Sequence, residues 1–243
     1  IDRTAVKSAP MRGLSTIAFD ADDTLWHSER VFRLTEERFA GLLADHVDSE
    51  GLSRRLLETE KRNLDFYGYG RKGFVLSMIE TAIDVTEGKV PTAILKDLID
   101  LGRDMAAHPI EILPDVRETL EAVAGRYRIL LITKGDLLDQ EQKLARSGLG
   151  ELFHAVEIVS DKSPPTYQRI FTRHGDGPER GMMVGNSLKS DIVPAIEAGS
   201  WGIFIPHPLT WALEHTDAPK DAPRFRQIER IGELSGLLGE IDR

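Results

Sequence analysis

Five short apolar runs, each ending in polar or small residues, recur along the chain and predict buried strands. These runs are Thr16–Asp20, Arg128–Thr133, Ala155–Ser160, Met182–Gly185 and Gly202–Pro206. Segments with helical signals follow most of them, and the clearest are Asp115–Ala124, Leu137–Ser147 and Pro164–His174. Asp136 and Gly148 bracket the second of these helices as N-cap and C-terminal glycine. Strands that alternate with helices predict an α/β fold, a doubly wound parallel sheet of the Rossmann-like kind.

The pattern changes between Trp26 and His108, where apolar residues recur at helical spacing and no strand is indicated. A helical block that follows the first strand would lie over the carboxyl edge of the sheet, as a lid does. We therefore predict an α/β core domain of residues 1–26 and 109–243 and a helical cap domain of residues 27–108.

Composition narrows the classes of function. The 243 residues are 41% hydrophobic and 29% charged, as in ordinary soluble globular proteins. A net charge of −9 disfavours nucleic acid and anionic membrane surfaces as partners. The absence of cysteine excludes disulfides, thiolate metal sites and cysteine nucleophiles. The segment from Ile1 to Gly13 has no apolar core of a signal peptide, and we expect a cytoplasmic monomer or homodimer.

The first predicted strand ends in a cluster of carboxylates, Asp20, Asp22 and Asp23. Three carboxylates in four residues repel one another unless a cation or several donors face them. The carboxyl edge of an open α/β sheet is where ligands bind. The cluster therefore predicts a site for a hard metal ion, with one carboxylate free to act as a nucleophile.

Three further strand ends carry polar residues to the same edge. Thr133-Lys134-Gly135 supplies a hydroxyl and a glycine turn whose amides can face an anion. Lys162 supplies a fixed cation, and the segment from Gly185-Asn186 to Asp191 supplies oxygen ligands. A carboxylate nucleophile, a hydroxyl donor, a cation and a hard-metal site are the parts that phosphoryl transfer requires.

The ordered set Asp20-x-Asp22-x-Thr24, Thr133, Lys162 and Gly185-Asn186-x4-Asp191 resembles the four motifs of the haloacid dehalogenase superfamily. The resemblance covers essentially the whole chain, and the helical insertion matches the family's cap of the first type. It implies that Asp20 attacks phosphorus and forms an aspartyl-phosphate, while Asp22 acts as general acid and base.

The resemblance also implies the remaining roles. The hydroxyl of Thr133 and the amide of Lys134 would bind phosphoryl oxygens, and Lys162 would screen the repulsion between phosphate and nucleophile. Mg²⁺ would be held by a set of oxygen ligands from Asp20, Asp22, Asn186 and Asp191. The fourth motif usually begins Gly-Asp, so Asn186 removes one anionic charge from this ligand set.

Asp22 decides between two kinds of chemistry. An alkoxide leaving group needs a proton, whereas halide leaves without one, and family members that cleave carbon–halogen bonds typically lack an acid at this position. We therefore predict a Mg²⁺-dependent phosphatase of small phosphorylated metabolites. The alternatives are a hydrolytic 2-haloacid dehalogenase and a non-catalytic binding protein, the latter suggested by Asn186.

Other polar residues have simpler interpretations. Arg71 and Lys72, in an aromatic and glycine-rich loop, either contact substrate from the cap or lie in a solvated turn. Asp23 is expected to serve a helix N-terminus. His207 and Trp211 are expected to pack or lie at the surface. The histidines show no metal-ligand spacing, so no zinc site is predicted.

Overall fold

The structure is a computed structural model that describes residues 13–242. Of the polar segment Ile1 to Gly13, only Gly13 belongs to the described residues. Its strands are β1 (Thr16–Phe19), β2 (Arg128–Lys134), β3 (Ala155–Val159), β4 (Gly181–Gly185), β5 (Trp201–Phe204) and β6 (Phe225–Gln227). Its α-helices are α1 (Glu29–Leu42), α2 (Ser49–Tyr67), α3 (Arg71–Val85), α4 (Thr92–Ala107), α5 (Val116–Ala124), α6 (Leu137–Ser147), α7 (Pro164–His174), α8 (Val193–Glu197) and α9 (Leu234–Ile241).

Within residues 13–242 the strands form one parallel sheet in the order β3-β2-β1-β4-β5-β6. The chain runs outward from β1 in one direction through β2 and β3, and in the other through β4, β5 and β6. Ligand sites of doubly wound sheets lie at such a reversal, beside the carboxyl ends of the strands. The fold therefore places a crevice at the ends of β1, β2 and β4.

Alternating side chains of the sheet build two hydrophobic cores, because successive residues of a strand face opposite sides. In β1, Ile17 and Phe19 pack into the core that α5 and α9 cover. Ala18, between them, packs into the core that α7 and α8 cover. Burial on both faces explains why these strands read as continuous apolar runs in the sequence.

The five predicted strands are confirmed with limits that shift by one or two residues, and β6 was not predicted. Only Phe225 of β6 is apolar, and its two neighbours are exposed, so an edge strand of this kind leaves no apolar run. The predicted caps of α6 are confirmed. The side chain of Asp136 accepts the amide of Asp139 at 3.1 Å, and Gly148 adopts the left-handed conformation with φ of 65°.

The block after β1 is helical, as predicted, and comprises α1 to α4. These helices share a third hydrophobic core, separate from the two of the sheet, that includes Phe39, Leu56, Met78 and Leu98. The exact division into core and cap domains stays a prediction. No helix in the described part of the chain combines the length and the apolar character needed to cross a bilayer.

Candidate active site

The predicted catalytic, phosphate-binding and metal-ligand residues meet at the carboxyl edge of the sheet, around one cavity of about 470 Å³. Asp20 directly follows β1, Thr133 is the penultimate residue of β2, and Lys162 precedes α7. Asp191 lies in a π-helical turn, Leu188–Ile192, between β4 and α8. Asp22, Lys134 and Asn186 also line the cavity, so the fold brings the four motifs together.

Lys162 lies between two buried carboxylates. Its Nζ is 2.5 Å from Oδ1 of Asp20 and 2.6 Å from Oδ1 of Asp191. Burial, and then the charge of Asp191, raise the pKa of Asp20 to about 7, although Lys162 opposes the rise. Burial by itself would lower the pKa of Lys162, but the two carboxylates hold it above its usual value. The lysine is therefore a fixed cation, and one cation does not fully balance the two carboxylates.

Gly185 allows Asp191 to reach this position. Oδ2 of Asp191 accepts the amide of Ser187 at 3.0 Å, and a Cβ atom on Gly185 would overlap the Asp191 carboxylate. The glycine of the fourth motif is therefore required for the close approach of the turn to the end of β4.

Asp22 is held apart from Asp20 by a different set of partners. Its carboxylate accepts Trp26 Nε1 at 2.8 Å, Gln140 Nε2 at 2.9 Å and Lys143 Nζ at 3.0 and 2.9 Å. Burial favours the protonated form of Asp22, but Lys143 and the hydrogen bonds outweigh it, and its pKa lies below the ordinary value. Two carboxyl groups two residues apart thus have opposite pKa shifts, which is a common sign of separate catalytic roles.

Lys143 and Gln140 were not predicted as site residues. They lie on α6, seven and four residues after its N-cap Asp136. Both are buried, with 8% and 3% of their surface exposed. Only their burial distinguishes them from the other polar residues of this helix, and the sequence pattern does not reveal that burial.

Thr24 connects the first and fourth motifs. Its hydroxyl lies 3.1 Å from Oδ2 of Asp20 and 3.2 Å from Oδ1 of Asn186, and it accepts the amide of Asn186 at 3.1 Å. With a single hydrogen, the hydroxyl donates to one of the two oxygens at a time. The amide side chain of Asn186 is thereby placed beside the Asp20 carboxylate.

Asp23 serves the start of α1, as predicted. Its carboxylate accepts the amides of Ser28 and Glu29, each at 2.9 Å. These are two of the amides that an α-helix leaves without partners in its first turn. Asp23 has a φ of 60°, a left-handed conformation that aspartate tolerates better than most residues.

Lys134 meets a carboxylate that the sequence did not indicate. Its Nζ is 2.7 Å from Oε1 of Glu214, 2.9 Å from Oγ of Ser190 and 3.7 Å from the ring centroid of Tyr69. Oε2 of Glu214 accepts the hydroxyls of Ser187, at 2.6 Å, and of Ser190. Burial favours the protonated form of Glu214, but Lys134 outweighs it, and the pKa of Glu214 is lowered.

Trp211 lines the cavity instead of only packing or lying at the surface. Its ring meets Tyr69 edge to face, with the centroids 6.1 Å apart. The segment after β5 therefore joins the loop before α3 to close one wall of the cavity. No periodicity in this segment signals that role.

Arg71 and Lys72 lie away from the cavity. Arg71 forms an ion pair with Asp139 and donates to the carbonyl of Met105 at 2.7 Å. Lys72 Nζ is 3.0 Å from both carboxylate oxygens of Asp136. Both pairs join α3 to α6, so the structure gives these residues a bridging contact and no contact with the cavity.

Other charged side chains line the cavity from the helical block, among them Glu29, Arg33, Glu36, Arg54 and Glu60. Burial, and then the charge of Glu36, raise the pKa of Glu60 to about 8. Burial likewise raises the pKa of Glu29 to about 7, although Arg33 opposes the rise. This wall carries both signs of charge beside apolar side chains, among them Phe32, Leu57 and Phe74.

The donor set at the sheet edge fits a hard divalent cation. Asp20, Asp191 and the side chain of Asn186 each offer an oxygen atom, the ligand type that Mg²⁺ and Ca²⁺ prefer. The raised pKa of Asp20 supports the fit, because two desolvated carboxylates that share one lysine lack positive charge.

Comparison with known proteins agrees with this geometry. Residues 14–199 match the profile of the hydrolase family described as haloacid dehalogenase-like hydrolase. Glyceraldehyde 3-phosphate phosphatase of Methanothermobacter thermautotrophicus is 26% identical over 238 residues, which are 93% of this chain and 100% of that protein. The protein of the same name from Methanopyrus kandleri is 27% identical over 241 residues, 94% and 98% of the two chains.

A solved structure is also similar. The crystal structure of a haloacid dehalogenase-like family hydrolase from Xanthomonas campestris has 39% sequence identity and a TM-score of 0.85. The match covers 96% of this chain and 94% of that one. The resemblance predicted from the ordered motifs is confirmed, and the chain belongs to the haloacid dehalogenase-like hydrolases.

Proposed function

We propose that the protein is a Mg²⁺-dependent phosphatase that hydrolyses small phosphate monoesters through an aspartyl-phosphate on Asp20. One observation carries the proposal: Asp20 and Asp22 line the same cavity but bind different partners. A nucleophile and a separate acid are what a phosphate ester requires, whereas release of halide needs no acid. The relatives named as phosphatases support the same chemistry.

In the first half-reaction, a carboxylate oxygen of Asp20 attacks phosphorus. The bond between phosphorus and the leaving oxygen breaks. The leaving oxygen keeps the electron pair of this bond and takes a proton from Asp22. Thr133 and the amide of Lys134 would bind the phosphoryl oxygens. Lys162, 2.5 Å from Asp20, would reduce the repulsion between the nucleophile and the phosphate.

In the second half-reaction, Asp22 accepts a proton from water as the water oxygen attacks phosphorus. The bond between phosphorus and Asp20 breaks, which frees the Asp20 carboxylate and inorganic phosphate. Lys143, Gln140 and Trp26 bind the ionised form of Asp22, so they favour the state that acts as base. Protonated Asp22, needed for the first half-reaction, forms at the expense of these contacts.

Mg²⁺ would be held by the carboxylates of Asp20 and Asp191, the side-chain oxygen of Asn186 and the backbone carbonyl of Asp22. When bound, this ion would neutralise charge on the phosphoryl group and on the carboxylates. Lys162 and Thr24 are the hydrogen-bond partners of the Asp20 carboxylate in the described residues.

The helical block would select the leaving group. A cavity of about 470 Å³ accommodates a small metabolite, and the charged side chains of its far wall suit a hydroxylated or charged leaving group. Arg33, Arg54 and Glu60 are the proposed contacts. Glyceraldehyde 3-phosphate is the first compound to test, because the two phosphatase relatives are named for it.

The test is a panel of phosphate esters, including an aryl phosphate and glyceraldehyde 3-phosphate, assayed with and without Mg²⁺. We expect turnover that requires Mg²⁺ and disappears in Asp20→Asn. Turnover without metal, or full activity of this variant, would contradict the proposal. Release of halide from a 2-haloacid without metal would support the dehalogenase alternative, and a panel without any turnover would support a binding function.

A further inference from the structure

A second group of metal-ligand side chains lies next to the active site, on the side of Asp23. One carboxylate oxygen of Asp23 and one ring nitrogen each of His27 and His207 lie within 4.8 Å of one another. Asp23 is buried and both imidazoles are half-buried. His27 lies between β1 and α1, whereas His207 follows β5, so the fold alone brings them together.

His207 has a fixed orientation. Its Nδ1 is 2.6 Å from the carbonyl oxygen of Leu209. The amide of Leu209 also lies 3.3 Å from this nitrogen, but the carbonyl contact is much shorter. Because a carbonyl only accepts, we assign the proton to Nδ1 and a lone pair to Nε2. Histidines that bind metals commonly hold their second nitrogen in this way, with a backbone carbonyl as acceptor.

The free Nε2 atom of His207 faces the carboxylate of Asp23 at 3.6 Å from Oδ1. This separation is too long for a hydrogen bond. It is close to the roughly 3.3 Å that separates two ligand atoms of a tetrahedral ion with bonds of about 2.0–2.1 Å. The amides of Ser28 and Glu29 fix the carboxylate. Oδ1 accepts both, at 2.9 and 3.2 Å, whereas within residues 13–242 Oδ2 accepts that of Glu29 alone, at 2.9 Å, and keeps a lone pair for a cation.

His27 supplies the third ligand. Its ring nitrogens have no hydrogen-bond partner among residues 13–242, and its ring centroid is 6.1 Å from that of His207. No hydrogen bond in that range restrains the rotation of this side chain, and one of its nitrogens already lies within 4.8 Å of the other two ligand atoms.

We propose that Asp23, His27 and His207 bind a transition metal ion of the Zn²⁺ class, at a site distinct from the oxygen ligands around Asp20 and Asp191. Two imidazoles and one carboxylate favour Zn²⁺, Co²⁺ or Ni²⁺ over Mg²⁺. Three protein ligands leave the fourth position of a tetrahedral ion to water.

The ion would join the loop after β1 to the segment after β5. That segment continues to Trp211 and Glu214, which line the active-site cavity. Occupancy would therefore restrain one wall of the cavity without contributing a ligand to the reaction centre. The expected consequence is a more stable protein rather than a different chemistry.

The test is calorimetric titration of the EDTA-treated protein with Zn²⁺ in saturating Mg²⁺, which keeps the hard-cation site occupied. We expect one equivalent of Zn²⁺ to bind, and at least a tenfold loss of affinity in His27→Gln and in His207→Gln. His215→Gln is the matched control, because this exposed histidine lies in the same segment but outside the cluster. It should bind Zn²⁺ like the unmodified protein.

Two further measurements separate ligand loss from misfolding. Zn²⁺ should raise the Tm of the unmodified protein and of His215→Gln but leave that of the two ligand variants unchanged. Co²⁺ should give the visible spectrum of a four-coordinate ion, which the ligand variants lose. Absence of Zn²⁺ binding in saturating Mg²⁺, or retained affinity in either ligand variant that folds, would overturn the assignment.

Discussion

Lys143 donates to both carboxylate oxygens of Asp22, at 3.0 and 2.9 Å, from a helix that begins well over a hundred residues later in the chain. This ion pair keeps Asp22, the proposed general acid and base, ionised and separate from the nucleophile Asp20. It also makes Lys143 a positioning residue that the family motifs do not include.

Replacing Lys143 should change the pH dependence of the reaction. Lys143→Met removes the charge that holds down the pKa of Asp22, so this pKa should rise. Because the first half-reaction needs protonated Asp22, the alkaline limb of kcat/KM should move to higher pH. Lys143→Arg keeps the charge and serves as control. Superimposable pH profiles of Lys143→Met and the unmodified enzyme would refute this coupling.

The buried Asp20 carboxylate should make the metal-free protein less stable at alkaline pH. Its folded pKa of about 7 lies above the ordinary 3.8, so the folded state binds this proton more tightly than the unfolded state. The resulting stability is fully present below pH 3.8 and is lost as the pH rises through 7. Asp20→Asn mimics the protonated form. In EDTA, the Tm of this variant minus that of the unmodified protein should therefore be several degrees larger at pH 8.5 than at pH 5.5.

The Tm comparison for Asp20 has two controls. Asp161→Asn changes an exposed aspartate next to Lys162 and should show no such dependence on pH. Added Mg²⁺ should shrink the advantage of Asp20→Asn, because the cation offsets the charge in the unmodified protein. An equal Tm difference at both pH values would show that Asp20 titrates normally.

Gly185→Ala should disturb both folding and the metal site. The added Cβ would overlap the Asp191 carboxylate, which must shift together with its turn. We expect a loss of about 1–3 kcal/mol in the free energy of unfolding, as for other overpacked positions, and weaker Mg²⁺ binding. Gly125→Ala is the control, since its Cβ would meet no atom within 4 Å. Urea unfolding of both variants measures the difference, and equal stabilities would refute the close-approach argument.

Glu214→Gln should strengthen the binding of inorganic phosphate. The change removes the charge that neutralises Lys134 at the wall of the cavity. We expect the inhibition constant of phosphate to fall about fivefold, the equivalent of about 1 kcal/mol. Lys134→Met in the Glu214→Gln background should cancel the gain. If the inhibition constant does not change, the Lys134 side chain does not face the phosphate.

Asn186→Asp should tighten Mg²⁺ binding on the order of tenfold, because one anionic ligand is added to the oxygen set. The Thr24 hydroxyl, 3.2 Å from Oδ1 of Asn186, can donate to a carboxylate in the same way, so the local geometry is kept. Titration of activity and of heat with Mg²⁺ measures the affinity. An unchanged titration would place residue 186 outside the coordination sphere.

Much of the fold could be predicted because its signals are local. A strand buried on both faces has to be apolar along its length, as Ile17 to Phe19 are, and a helix needs a cap such as Asp136 where its amides lack partners. The polar residues that end these strands then share one edge, since parallel strands point the same way. Sequence therefore indicated the sheet, the helical block and the meeting of Asp20, Thr133, Lys162 and Asp191.

Only the tertiary structure decided which side chains face these residues. Lys143 reaches Asp22 across 121 residues, Glu214 reaches Lys134 across 80, and His207 lies beside His27 and Asp23. None of these contacts leaves a period or a spacing in the chain, because each depends on how two distant segments pack. The sequence determined where the carboxylates of the site lie. Packing decided which of them are ionised, which are held by hydrogen bonds, and which lie beside further metal-binding side chains.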